Sequence, residues 1–255
     1  MVLISLVVVG CGSSTNTGGD DCGGPDEDGD GIGDACDRCP IAPPPAVADS
    51  DNDDVDSPCD PDPTEDGDQI VAFDGFNAGL PAGWTASAGW TFENGEAIAT
   101  PGDAVVEERL VASLPLVSQH VALLARYEIN SVLSGATAPF TGVVAVDERP
   151  AGGSEVRCGG SRTGTADRLL LDGDVAVASD PFTSSLFDSN GSYRLALQLD
   201  NANAGCAIIA AQETGAAQAA TPGEAVNRGG FSVRGSVARF QYLLVVQRGT
   251  PPANP

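Results

Sequence analysis

Ala238-Arg239-Phe240-Gln241-Tyr242-Leu243-Leu244-Val245-Val246 and Tyr193-Arg194-Leu195-Ala196-Leu197-Gln198-Leu199 decide the fold of this chain. In the second stretch Tyr193, Leu195, Leu197 and Leu199 alternate with Arg194, Ala196, Gln198 and Asp200. In the first, Ala238, Phe240, Tyr242, Leu244 and Val246 fall on one side of the same two-residue period, with Arg239, Gln241 and Gln247 among the opposite set. A period of two is that of a strand with one buried face. Working outward, residues 70–73, 90–92, 97–100, 104–107, 121–129, 142–146, 155–158, 168–171, 175–178, 206–210 and 230–233 read as further strands separated by Gly, Pro, Asn and Asp. The Ala-rich loop 212–229 is the one place where a short helix is expected. Many short strands with turn-rich spacing predict an all-β domain, a β-sandwich, over residues 69–250, which is long enough for a sizeable core.

The charge is divided unevenly. Residues 20–68 hold 18 of the 36 acidic residues against a single Arg, so about −17 of the net −24 belongs there. The chain has no lysine and no basic stripe with interleaved aromatics, which excludes nucleic acid as an expected partner.

Within the acidic run, Asp26-Glu27-Asp28-Gly29-Asp30-Gly31-Ile32-Gly33-Asp34-Ala35-Cys36-Asp37 has carboxylates at positions 1, 3, 5, 9 and 12 of a loop and Gly at position 6. Twenty-three residues later Asp49-Ser50-Asp51-Asn52-Asp53-Asp54-Val55-Asp56-Ser57-Pro58-Cys59-Asp60 repeats it, with Asp54 in place of the turn glycine and Ser57 in place of Asp34. Alternate carboxylates on a tight loop suit a hard cation taking six to eight oxygens. Calcium is therefore the expected cofactor. Position 7, Ile32 or Val55, offers a backbone carbonyl while its side chain packs. The competing reading is a disordered acidic linker, but composition alone does not place Gly31, Ile32 and Cys36 in register. A zinc site at Cys36-x-x-Cys39 lacks a second ligand pair, since the only histidine is His120, and aspartates prefer a harder ion.

This segment resembles thrombospondin type 3 repeats through Asp34-Ala35-Cys36-Asp37-Arg38-Cys39-Pro40 and Ser57-Pro58-Cys59-Asp60-Pro61-Asp62-Pro63. The resemblance implies that bound calcium organises residues 25–68 as a stiff stalk, with Asp26, Asp28, Asp30, Asp34, Asp37, Asp49, Asp51, Asp53 and Asp60 as ligands. Together with the position of the cysteines in the repeats, it suggests pairings Cys22–Cys36, Cys39–Cys59 and Cys158–Cys206. The apolar run of residues 2–9, too short to span a membrane, leads into Val8-Val9-Gly10-Cys11, which looks like a bacterial lipobox following a secretory segment. That resemblance implies a signal peptide over 1–11, lipidation of Cys11, a flexible tether over 12–24 and attachment to the outer membrane of the bacterial envelope; no Lys or Arg precedes the apolar run. Residues 251–255 read as a disordered tail. Six cysteines then remain, an even number that favours disulfides in an oxidising compartment.

Phe73-Asp74-Gly75-Phe76, Leu80-Pro81-Ala82-Gly83-Trp84, Gly89-Trp90, Asn94-Gly95, the Gly-Gly-Phe-Ser-Val-Arg string at 229–234 and Ala238-Arg239-Phe240-Gln241-Tyr242 resemble the first and last strands of concanavalin-like, laminin-G-type jelly rolls. That family contains sugar-binding and adhesion modules and some glycoside hydrolases and lyases. Glycoside cleavage needs two carboxylates about 5–10 Å apart. Glu107-Glu108 and Asp147-Glu148 are adjacent pairs, which point to opposite faces in a strand, and no Gly-x-Ser-x-Gly occurs. The expectation is a non-enzymatic module for adhesion or carbohydrate binding, with a glycan or protein as ligand; the alternatives are a jelly-roll polysaccharide-degrading enzyme and a purely structural envelope protein. Trp84 and Trp90 are the candidate stacking residues, with Asn94, Asp147, Arg149 and Arg162 as polar partners, set against the reading that both tryptophans pack in the core.

Overall fold

The structure, a computed structural model, describes residues 23–43, 49–114, 120–147, 154–174, 177–187, 191–200, 202–210, 213–220 and 226–248. The expected signal peptide with Cys11, residues 12–22 of the expected tether with Cys22, Glu148, Arg149 and the tail lie outside them. Among the described residues there is no helix. The described residues form fifteen strands in two antiparallel sheets: β1 (Gln69–Asp74), β2 (Trp84–Ala86), β3 (Trp90–Glu93), β4 (Glu96–Ala99), β5 (Glu107–Ser113), β6 (Val121–Val132), β7 (Phe140–Val146), β8 (Glu155–Thr163), β9 (Ala166–Gly173), β10 (Ala178–Pro181), β11 (Ser192–Leu199), β12 (Asn203–Ile209), β13 (Thr214–Ala220), β14 (Arg228–Arg234) and β15 (Ser236–Gln247). One sheet runs β13-β12-β11-β6-β15-β4-β3, with β1 also on β15; the other runs β10-β9-β8-β7-β14-β5-β2.

Alternating residues from both sheets meet in one core. Val121, Leu123, Ala125, Tyr127 and Ile129 of β6 and Tyr193, Leu195, Leu197 and Leu199 of β11 face Leu110, Val143, Ala145, Leu169, Leu171, Phe231 and Val233 of the opposite sheet. Phe231 and Phe240, on consecutive strands in different sheets, stack with centroids 4.0 Å apart. Cys158 of β8 and Cys206 of β12 are bonded across the sandwich and are almost wholly buried. The Cys158–Cys206 pairing thus matches the expected one and staples the two sheets.

Three sequence-based expectations need correction. The strand expected at 104–107 lies further on, as β5, while Val105 and Val106 are exposed in the preceding loop. Within the Ala-rich stretch 212–229, expected to carry a short helix, Thr214–Ala220 form β13, paired residue for residue with β12. Its small residues let an edge strand close against β10, with Gly215 beneath Phe182 and the Ala216 amide donating to Asp180 Oδ2 at 3.1 Å. Pairing along a whole strand outweighs the intrinsic helix preference of alanine.

The third correction concerns β15. Its pairing with β6 shifts register between Phe240 and Tyr242. A bulge adds one residue and reverses the faces beyond it. Ala238 and Phe240 point into the core as expected, but after the bulge Leu243 and Val245 do so, and Tyr242, Leu244 and Val246 turn to the outer face of the sheet. There they are buried with Ala122, Val55 and the Cys39–Cys59 disulfide, and Ile41, Ala42, Ile70, Phe73 and Leu124 pack around them. The aspartate-rich segment is therefore laid against the sandwich over a second, smaller apolar cluster, and does not stand away from it as a free stalk. The unbroken apolar run from Tyr242 to Val246 is explained by burial on both faces.

Candidate metal centre

The two aspartate loops have the same backbone. Positive φ occurs at loop positions 4 and 6 in both, at Gly29 (78°) and Gly31 (93°) and again at Asn52 (71°) and Asp54 (73°). Asn and Asp are the non-glycine residues that best tolerate this region, so the second copy keeps the trace without the glycines. In the first loop Asp26 Oδ1 accepts from the amides of Gly29 (2.8 Å) and Asp30 (3.1 Å), and its Oδ2 from Gly31 (2.9 Å). In the second, Asp49 Oδ1 accepts from Asn52 (2.7 Å) and Asp53 (3.2 Å), and its Oδ2 from Asp54 (3.2 Å). Asp30 Oδ1 accepts from Ile32 N at 2.6 Å, as Asp53 Oδ1 does from Val55 N at 2.9 Å.

This folding gathers oxygens. Carboxylate oxygens of Asp26, Asp28 and Asp30 lie within 4.8 Å of one another, as do those of Asp49, Asp51 and Asp53. Asp28 Oδ2, Asp37 Oδ2, both oxygens of Asp51 and Asp60 Oδ2 are shielded from solvent and accept no hydrogen bond. A buried carboxylate oxygen without a donor is costly, and an all-oxygen set of this kind fits calcium. The position-12 residues, Asp37 and Asp60, feel the charges of these groups. Burial, followed by the charges of Asp30, Asp28 and Asp56, pushes the Asp37 carboxyl up to about 6. Burial with the charges of Asp51, Asp68 and Asp53 pushes Asp60 up to about 7. Asp28, Asp34 and Asp51 are also raised, each first by desolvation.

The remaining expected positions divide. Asp34 Oδ1 accepts from the Glu27 amide at 2.9 Å, so it pins the loop to itself; at the equivalent places of the second copy Ser50 and Ser57 hydroxyls meet at 3.0 Å. Val55 is 2% exposed and packs beneath its loop, whereas Ile32 is 43% exposed, so the expected packing at position 7 holds only in the second copy. Arg38 pairs with Asp49 and lies 3.2 Å from Asp54 Oδ1. Cys39 is bonded to Cys59, as expected, and Cys36 is disulfide-bonded too, which rules out zinc on these thiols. Cys22, its expected partner, lies outside the described residues. The twelve-residue template stops at Asp60 and misses Asp68, which is 4% exposed and whose amide donates to Asp53 Oδ2 at 2.6 Å. The signal for it is present in Asp66-Gly67-Asp68, directly before β1.

The candidate sugar-binding residues are not assembled in this way. Trp90 is 7% exposed, with its ring 6.3 Å from Phe231 and 5.6 Å from Phe240, so it serves the core and offers no platform to a ligand. Trp84 is half-buried, edge-on to Phe76 at 5.5 Å. Asn94 occupies the β3–β4 turn with φ 55°. Asp147 is 2% exposed, and Arg162 grips Asp167 (Nη2 to Oδ2 2.9 Å) while covering the Phe187 ring. Glu107 and Glu108 do point apart: Glu108 accepts from Ser87, whereas Glu107 lies with Arg109, Arg157, Glu155 and Asp172 in an ion network on the other face of the same sheet.

No family model and no curated protein matches this chain. Solved structures do. Basic winged bean lectin with Tn-antigen superposes with a TM-score of 0.52 at 8% identity, over 73% of this chain and 100% of that one. The fold is a lectin-like jelly roll. The CBM2 module of the evolved Dit of Lactobacillus casei BL23 phage J-1 gives 0.51 at 11% identity, over 73% and 98%. The GH43 protein BlXynB from Bacillus licheniformis gives 0.50 at 11% identity, over 69% of this chain and 39% of that one.

Proposed function

We propose that this chain is a calcium-binding lipoprotein of the bacterial envelope, held to the outer membrane through a lipidated Cys11, whose jelly-roll domain binds carbohydrate. The observation that carries the calcium reading is the pair of superimposable loops with buried, donor-less carboxylate oxygens. Asp26, Asp28, Asp30 and Asp37 would hold one ion and Asp49, Asp51, Asp53 and Asp60 the other, with the carbonyls of Ile32 and Val55 available to each. The ion's part is structural: it neutralises carboxylates that otherwise repel one another and so keeps residues 25–68 folded on the sheet. The likeness to thrombospondin type 3 repeats and the lipobox-like Val8-Val9-Gly10-Cys11 support the same reading.

Carbohydrate as ligand is supported by the fold shared with basic winged bean lectin, seen with Tn-antigen. The proposal is non-enzymatic. Of the carboxylates clustered on the second sheet, Glu107 is held below its usual range: burial opposes this, but Ser232, Arg109 and Arg157 prevail. A proton donor needs the opposite shift.

The full chain, calcium-loaded, screened on a broad glycan panel tests the ligand: selective binding is expected, and absence of binding by folded protein would reduce the reading to a structural envelope protein. Turnover on a polysaccharide panel would replace it with the enzyme. For the anchor, mass spectrometry should find a diacylated Cys11 at the mature N-terminus; an unmodified peptide spanning residues 3–14 in mature membrane protein would exclude it.

A further inference from the structure

The second loop is not closed by its own repeat alone. Asp60 is 8% exposed; its Oδ1 accepts the Asp62 amide at 2.7 Å, and its Oδ2 is buried without a donor. Both oxygens of Asp51 are in the same condition. Asp68 comes to this group from outside the repeat. It is 4% exposed, its amide is bonded to Asp53 Oδ2 at 2.6 Å, and it stands immediately before β1. Its Oδ2 is shielded from solvent, as is that of Asp60. The first loop meets the sandwich differently, through Glu27, whose Oε2 accepts from Asn77 Nδ2 at 3.2 Å. Buried carboxylates converging from several stretches of chain require a counter-charge.

We propose that Asp68 is a ligand of the second calcium site, so that this ion ties the repeat segment to the first strand of the sandwich. The proposal rests on the calcium reading of the loops. Its structural consequence follows from where β1 goes: the strand pairs with β15, and its Ile70 and Phe73 pack in the apolar cluster that seats the segment on the sheet. An ion held jointly by Asp51, Asp53, Asp60 and Asp68 would sit at the junction of the two regions.

Calorimetric calcium titration of the full chain, as wild type, Asp68→Asn and Asp66→Asn, tests this. Asp66 is exposed and serves as the neighbouring control. Wild type should take up two ions; Asp68→Asn should weaken one site by at least about tenfold and leave the other unchanged; Asp66→Asn should alter neither. An Asp68→Asn titration matching wild type would overturn the assignment and leave the calcium reading standing, whereas wild type without calcium uptake would overturn both. Hydrogen exchange on unmutated protein keeps the test independent of the variant's folding: chelation should speed exchange of the β1 amides about tenfold or more while those of β11 stay protected. Unchanged β1 protection without calcium would also overturn it.

Discussion

The sandwich and the segment laid on it are stabilised in opposite ways. The sandwich buries a continuous set of aromatic and aliphatic side chains and closes it with one inter-sheet disulfide. The segment covers a small cluster around Val55, Cys39 and Cys59 and otherwise holds carboxylates, several of them buried with oxygens that accept no hydrogen bond. One region rests on apolar packing; the other has a charge problem that only protons or a metal solve. The two nevertheless share a surface, because the bulge in β15 turns Tyr242, Leu244 and Val246 outward, under the segment.

The largest effects that sharpen this contrast come from the core. Removing the Cys158–Cys206 bridge, which spans 48 residues, should cost about 4 kcal/mol by the chain-entropy model. Trp90→Ala should cost roughly 3–5 kcal/mol. Both losses, read from denaturant melts, should be the same with calcium and with chelator. A Trp90→Ala protein that keeps its stability and loses glycan binding would instead return Trp90 to the ligand site.

Leu244 and Leu197 form a matched pair, one under the segment and one between the sheets. Each changed to Ala should cost about 2–5 kcal/mol in calcium. In chelator the Leu244 cost should shrink by more than about 1 kcal/mol, because its cover has loosened, while the Leu197 cost stays. Equal behaviour of the two would break the comparison.

How much of this was legible in the sequence depends on which face is considered. Period-two alternation revealed the all-β class and the inward face of β11, because that strand buries one side only. It misplaced Tyr242, Leu244 and Val246, because a bulge leaves no mark in a hydrophobic pattern and because burial on the outer face by a remote segment is a tertiary event. The gathering of Asp26, Asp28 and Asp30, and of Asp49, Asp51 and Asp53, was legible because loop spacing imposes oxygen geometry locally. Asp68 lies beyond the twelve-residue template, and its approach to Asp53 is a tertiary contact. The sugar-binding candidates were drawn from side-chain type alone, and the core claims Trp90 by its ring contacts.

Acidity separates the regions by a smaller amount. In metal-free protein Asp37 and Asp60, raised to about 6 and about 7, bind protons more tightly folded than unfolded. The sign follows from linkage: the segment is stabilised below the ordinary carboxylate range and loses that stability as pH rises through 6 to 7. Calcium competes with those protons, so its affinity should fall as pH drops through the same window. Titrations at pH 5.5 and 7.5 check this; equal affinity at both would show that these carboxyls do not bind the ion. The smallest expected change is Gly31→Ala, which places a side chain at φ 93° and should cost roughly 1–2 kcal/mol in the first loop only, read as weaker uptake at one site of two.

Limited proteolysis of the full chain, with and without chelator and followed by intact mass, tests most directly that calcium holds one region and the core the other. In calcium the chain should resist cutting throughout its described part. In chelator the first cuts should fall within the segment, near residues 29–33, and leave a resistant fragment beginning near β1. Cutting at the same rate in both conditions, or a sandwich digested as fast as the segment once calcium is withdrawn, would contradict the account.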